Sequence, residues 1–120
     1  MYFEPELSAP ELSQSLQNSG YDARSHKPGE VHVSRGDAYL WIYLTKRDEL
    51  EPSDLEDVDG WPICVDRLGT MAALMVRRNS ESDDLAVRVA DQLVANFNGR
   101  ITWDGMSYWE GLYNAYVAKH

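Results

Sequence analysis

Apolar positions recur along this chain with two different periods, and each change of period marks an element. The first period is helical. Ser8 followed by Glu11 forms a capping-box pair, in which side chains satisfy free N–H groups of an opening turn. Leu7 and Leu12 flank that cap as a hydrophobic staple, Leu12 and Leu16 share a face, and Gly20 is placed to end the helix. The apolar stripe is thin, which predicts a helix lying over a sheet edge. From Tyr21 the period falls to two. Val31 and Val33 alternate with His32 and Ser34, which predicts a solvent-facing His32. Turns follow from Lys27-Pro28-Gly29 and Arg35-Gly36-Asp37. In the strand Ala38 to Thr45, Leu40, Ile42 and Leu44 point to one face and Tyr39, Trp41 and Tyr43 to the other. A strand apolar on both faces belongs at the centre of a sheet.

Trp61 to Leu68 and Met71 to Arg78 read as a hairpin about Gly69, although Met71 to Met75 also has helical propensity. The longest helix opens at Ser80 with Asp83 as its capping partner. Ala86, Val89, Ala90, Leu93 and Phe97 line its apolar face, and Asn98-Gly99 closes it. Arg100 to Asp104 reads as a short strand with Ile101 and Trp103 on one side. A last helix opens at Ser107 with Glu110, and presents Trp109, Leu112, Tyr113, Tyr116 and Val117 as a broad apolar face. The expected fold is one two-layer α+β domain over residues 1–120, in the order α-β-β-β-β-α-β-α. Its sheet is mixed and mostly antiparallel, with helices packed on one face. If the Met71 strand and the Ile101 strand lie parallel in that sheet, the long helix is a right-handed crossover between them.

Length and composition fit this picture. A chain of 120 residues with 43% hydrophobic residues and thirteen aromatics is large enough to bury its own core. The single cysteine, Cys64, allows no internal disulfide, and its apolar neighbours read as strand core. Tyr-Phe-Glu-Pro-Glu after Met1 lacks the character of a signal peptide. The longest apolar run, Ala38 to Leu44, falls far short of the roughly 20 residues that span a bilayer. A cytoplasmic protein with no membrane partner is the expectation.

Charge changes the picture more than composition does. Twenty acidic residues face eleven basic ones, for a net charge of −9. Between Asp48 and Gly60 stand seven acids (Asp48, Glu49, Glu51, Asp54, Glu56, Asp57 and Asp59) and no Lys or Arg, so this segment holds −7 of the total. A focused negative patch attracts basic partners and repels phosphate backbones, so direct nucleic-acid binding is disfavoured.

Chemistry of other kinds finds little support in the residues. With Gly60 at the sixth place of a calcium loop, Leu55 stands where the first oxygen ligand belongs. His26, His32, Cys64 and His120 lack zinc-ligand spacing, so no metal and no cofactor is expected. No nucleophile elbow, P-loop or dinucleotide fingerprint is present, and catalysis is not expected. Arg35-Gly36-Asp37 spells an adhesive tripeptide but is more simply a hairpin turn.

In size, localised acidity and compact α+β character with exposed aromatics, the chain resembles the small acidic immunity proteins that bacteria pair with toxic enzymes, usually nucleases. The resemblance is to the class, which no motif defines. It implies a non-catalytic inhibitor in which Asp54, Glu56, Asp57 and Asp59 meet the basic surface of a toxin. Trp61, with Trp41, Tyr39 and Tyr43, would supply aromatic anchors. The Tyr39/Trp41/Tyr43 row has an alternative, in which the first or last helix covers it and it is core. Two further readings of function stand beside the first. One is a small-molecule binder or small enzyme, with a pocket between the sheet and Tyr108, Trp109, Tyr113 and Tyr116 of the last helix. The other is a structural subunit of a phage or larger assembly.

Overall fold

The computed structural model describes residues 1–50, 67–101 and 106–120. In chain order these form β1 (Tyr2–Phe3), α1 (Ala9–Asn18), β2 (Asp22–Lys27), β3 (Glu30–Arg35) and β4 (Ala38–Lys46). A 3-10 turn (Arg47–Glu49), β5 (Thr70–Val76), α2 (Ser80–Phe97) and α3 (Ser107–Lys119) follow. The five strands make one antiparallel sheet in the order β1-β5-β4-β3-β2. The fold is α+β, with four strands between the first helix and the long one, as the change of period predicts, and β4 at the centre.

Alternation decides which face of the sheet is covered. Val31, Val33, Leu40, Ile42 and Ala72 are buried, and join Leu12 and Leu16 of α1 and Leu85, Val89 and Leu93 of α2 in one apolar core. α1 rests mainly on β2, the edge strand, and α2 on β4 and β5. α1 opens as its sequence indicates: Glu11 N–H donates to Ser8 Oγ (3.2 Å), and Leu7 and Leu12 are both buried in the core. Arg35-Gly36-Asp37 turns β3 into β4, with Gly36 at φ +61.

Four details depart from expectation. β1 is an additional strand, too short to leave a period. α2 is capped one residue earlier than its serine suggests: Asn79 accepts from Ser82 N–H, while Ser80 lies within the first turn. α3 begins at Ser107 as expected, but its N-cap is Met106, with no side-chain cap bond. None of its residues is fully buried, because it packs against α2 rather than into the core, with Trp109 alone reaching the core at half-burial. Of the expected broad apolar face, Trp109, Leu112, Tyr113 and Tyr116 are half-buried and Val117 is exposed.

β1 closes the sheet at β5. Tyr2 pairs with Met71 and Phe3 with Thr70. On its other side Tyr2 bridges Arg100, antiparallel, so the chain at Arg100 runs parallel to β5 with β1 between them. Residues 102–105, the rest of that expected strand, lie outside the described residues, as does nearly all of the expected strand Trp61 to Leu68.

The segment between β1 and α1 is fastened by buried Thr70. Its Oγ1 accepts from Leu7 N–H (2.8 Å) and donates to Pro5 O (3.0 Å), while Gly69 N–H donates to Phe3 O (2.9 Å). This buried hydroxyl thereby both accepts and donates at one place.

Candidate functional site on the open face of the sheet

The described helices occupy one side of the sheet, so the period-two alternation delivers a second surface of defined content. On β4 it carries Tyr39, Trp41 and Tyr43, and on β3 Glu30, His32 and Ser34. Register pairs His32 with Trp41, Ser34 with Tyr39 and Glu30 with Tyr43. β5 adds Met75 opposite Trp41 and Ala73 opposite Tyr43, while β2 places Arg24 opposite His32. Among the described residues no helix packs on this face. Tyr39 and Trp41 are half-buried by their neighbours on the sheet, and Tyr43 and Met75 are 40% and 57% exposed. The alternative in which α1 or α3 covers the aromatic row does not hold, since both lie elsewhere.

The aromatic row is ordered by contacts within the face. Tyr39 and Trp41 rings stand 4.6 Å apart, and the Arg77 guanidinium carbon lies 5.3 Å from the Tyr39 centroid. Arg77 and Asn79 both donate to Asp37 O, at 3.3 and 3.1 Å, which ties the β3–β4 turn to the entrance of α2.

Spacing alone leaves His32 as a solvent-facing residue, and here the structure corrects it. Its side chain is only 28% exposed, and both ring nitrogens are engaged. Nε2 meets Glu30 Oε1 at 2.8 Å and Nδ1 meets the Tyr39 hydroxyl at 2.5 Å. A carboxylate oxygen only accepts, so Nε2 carries a proton. In the neutral ring Nδ1 is then left as the acceptor for the Tyr39 O–H. Glu30, His32 and Tyr39 thus form a continuous carboxylate–imidazole–phenol chain. Glu30 and His32 are two residues apart on β3, and Tyr39 is the diagonal neighbour of His32 on β4. The period-two pattern already put all three on one face, but the diagonal needed the register of the hairpin.

A second feature lies at the opposite edge. A groove of about 430 Å³ runs between β5 and α3, lined by Leu74, Val76, Val87, Met106, Trp109 and Tyr113 among others. Burial, with Asp91 alongside, raises the pKa of Tyr113, whose hydroxyl donates to Asp91 (3.4 Å). Tyr108 and Tyr116 do not line it. They border a separate groove between α2 and α3, where Tyr108 donates to Asp83 at 2.6 Å.

Of the residues that the sequence selects for partner binding, Tyr39, Trp41 and Tyr43 are therefore together on the open face. Asp54, Glu56, Asp57, Asp59 and Trp61 lie outside the described residues, as does Cys64. Asp48 and Glu49, the first acids of that segment, are exposed in the 3-10 turn that ends β4. Among the described residues no group of three His, Cys, Asp or Glu is arranged to hold a metal ion, and no helix is long and apolar enough to cross a membrane.

No family model, curated protein or solved structure matches this chain.

Proposed function

We propose that the protein is a non-catalytic protein-binding module that docks a basic partner, and that it acts as an immunity-type inhibitor of a toxin enzyme such as a nuclease. The observation that carries this reading is the Tyr39/Trp41/Tyr43 row at the centre of the sheet, which no described helix covers. Tyr and Trp dominate interface hot spots, and a row fixed on a central strand is organised before a partner arrives. The acidic run supports the choice of partner. Asp48 and Glu49 leave the end of β4 beyond Tyr43, and Asp54, Glu56, Asp57 and Asp59 follow within ten residues. Exposed acids such as Asp48 and Glu49, just beyond the strand that carries the aromatic anchors, suit a basic surface such as the cleft of a nuclease. There, charge accelerates association and buried rings slow release.

The deciding experiment uses the product of the neighbouring reading frame. The immunity reading requires that frame to encode a large secreted protein with a basic C-terminal domain, and that domain to form a complex with this chain. Replacing Asp54, Glu56, Asp57 and Asp59 by Asn or Gln should then slow association and flatten its salt dependence, while Trp41→Ala should speed release. An absent complex, or an association rate indifferent to all four acids, overturns it.

The groove between β5 and α3 favours one second reading, a small apolar ligand held against Trp109 and Tyr113. A rise in melting temperature on addition of such a ligand, abolished by Trp109→Ala, would decide for it. Self-association of the purified chain would instead mark a structural subunit.

A further inference from the structure

We infer that Tyr39 is a nucleophilic modification site, a phenol that accepts an acyl group from an activated ester with His32 as its base. The inference is independent of the docking reading. It rests on three side chains in the order that nucleophilic chemistry requires: a hydroxyl, a base hydrogen-bonded to it, and a third group fixing the base. Glu30 holds Nε2–H at 2.8 Å, which sets the tautomer and leaves Nδ1 facing the Tyr39 hydroxyl at 2.5 Å. Two ladder strands carry the set. His32 and Glu30 share β3, and Tyr39 is held by the β3–β4 register, so the arrangement needs no loop to close.

The neighbours suit the reaction. The Arg77 guanidinium, 5.3 Å from the Tyr39 ring centroid, puts positive charge near the point of attack, where the ester carbonyl oxygen gains negative charge. The Trp41 ring, 4.6 Å from that of Tyr39, offers an apolar wall to an acyl chain. In the step itself the phenolic oxygen attacks the ester carbonyl carbon and a new C–O bond forms. The bond to the leaving alkoxide or phenoxide breaks, and the phenol proton passes to His32 Nδ1. The resulting imidazolium stands beside Glu30 until solvent removes the proton. The product is O-acyl-Tyr39, formed once per chain without turnover, and it no longer has a proton to donate to His32.

The test is acetylation of the purified chain by p-nitrophenyl acetate, followed by release of p-nitrophenolate and located by peptide mass spectrometry. Tyr43 and Tyr108 are more exposed, at 40% and 61%, and serve as references within the same molecule. Tyr39 should acetylate faster than either, and Tyr39→Phe should remove the fast phase. His32→Gln should slow Tyr39 by about 100-fold, the lower end of what a positioned base supplies, with the reference tyrosines unchanged. Glu30→Gln should slow it less, in the same direction, and stands in should His32→Gln fail to fold. A purely structural hydrogen bond gives the opposite sign, because freeing the hydroxyl would speed its labelling. That result overturns the inference, as does a fast acetyl group found on His26, His32 or a lysine.

Discussion

At the scale of single residues, Gly69 is the tightest of the described glycines. A methyl group there would stand 2.2 Å from Glu4 O and 2.6 Å from the Pro5 carbonyl carbon, both backbone atoms. That backbone cannot retreat easily, since Gly69, Thr70 and Leu7 pin it through three hydrogen bonds. Gly69→Ala should therefore destabilise the protein by about 1–3 kcal/mol, the usual penalty of overpacking. Gly111 gives the contrasting case. It lies within α3 with nothing near its would-be Cβ. Gly111→Ala should stabilise by about 0.5–1 kcal/mol through helix propensity alone. Urea midpoints of the two variants should move in opposite directions, and a shift of the same sign in both would refute this account. The α2 cap is a third such site. Asn79→Ala removes the acceptor of Ser82 N–H (2.7 Å) and should cost about 1 kcal/mol.

Elements differ in how fully they were written in the chain. β4 announces both of its faces, and the two should be separable by experiment. Leu40→Ala or Ile42→Ala empties space between sheet and helices and should cost about 2–5 kcal/mol. Trp41→Ala, on the uncovered side, loses mainly its pairing with Tyr39 and should cost about 1–2 kcal/mol. Equal losses measured by denaturation would mean that the aromatic row is core. α1, the β3–β4 turn and the order of strands between α1 and α2 were legible because cap, turn and period are local signals. β1 was not, since two residues carry no period and Tyr2 and Phe3 gain their meaning only beside Met71 and Thr70. α3 was legible as a helix, but its surroundings were not, for a related reason. Trp109, Leu112, Tyr113, Tyr116 and Val117 recur at helical spacing, yet spacing states only that they share a side. It does not state that Leu112 and Tyr116 border a groove with polar Asp83, Asp84 and Arg88 of α2, while Trp109 and Tyr113 line an apolar one with Val87 and β5. The candidate site was half legible. The aromatic row follows from alternation alone, whereas the bond from His32 to Tyr39 depends on a diagonal across two strands.

For the molecule as a whole, two half-buried tyrosines set a limit at alkaline pH. Burial raises the pKa of Tyr21 and of Tyr113, with Tyr116 and Asp91 respectively adding to the effect. A raised folded-state pKa means that the fold favours the protonated phenol. The stability this contributes is complete below the unfolded value near 10 and is lost as pH rises through the folded one. Melting temperature should hold steady to about pH 9 and then fall. The fall should be shallower in the double variant Tyr21→Phe, Tyr113→Phe, and an identical slope in that variant would exclude these two groups as its cause. The central strand is also bonded directly to the helix layer. Tyr39 N–H, on the central strand, donates not to another strand but to Ser82 Oγ in the first turn of α2, at 2.9 Å, with Ser82 wholly buried. Hydrogen–deuterium exchange at the Tyr39 amide therefore keeps time with fraying of a helix rather than opening of the sheet. Loosening the start of α2 should release that deuteron clock early while the amides of Val31 and Val33 continue to run slow.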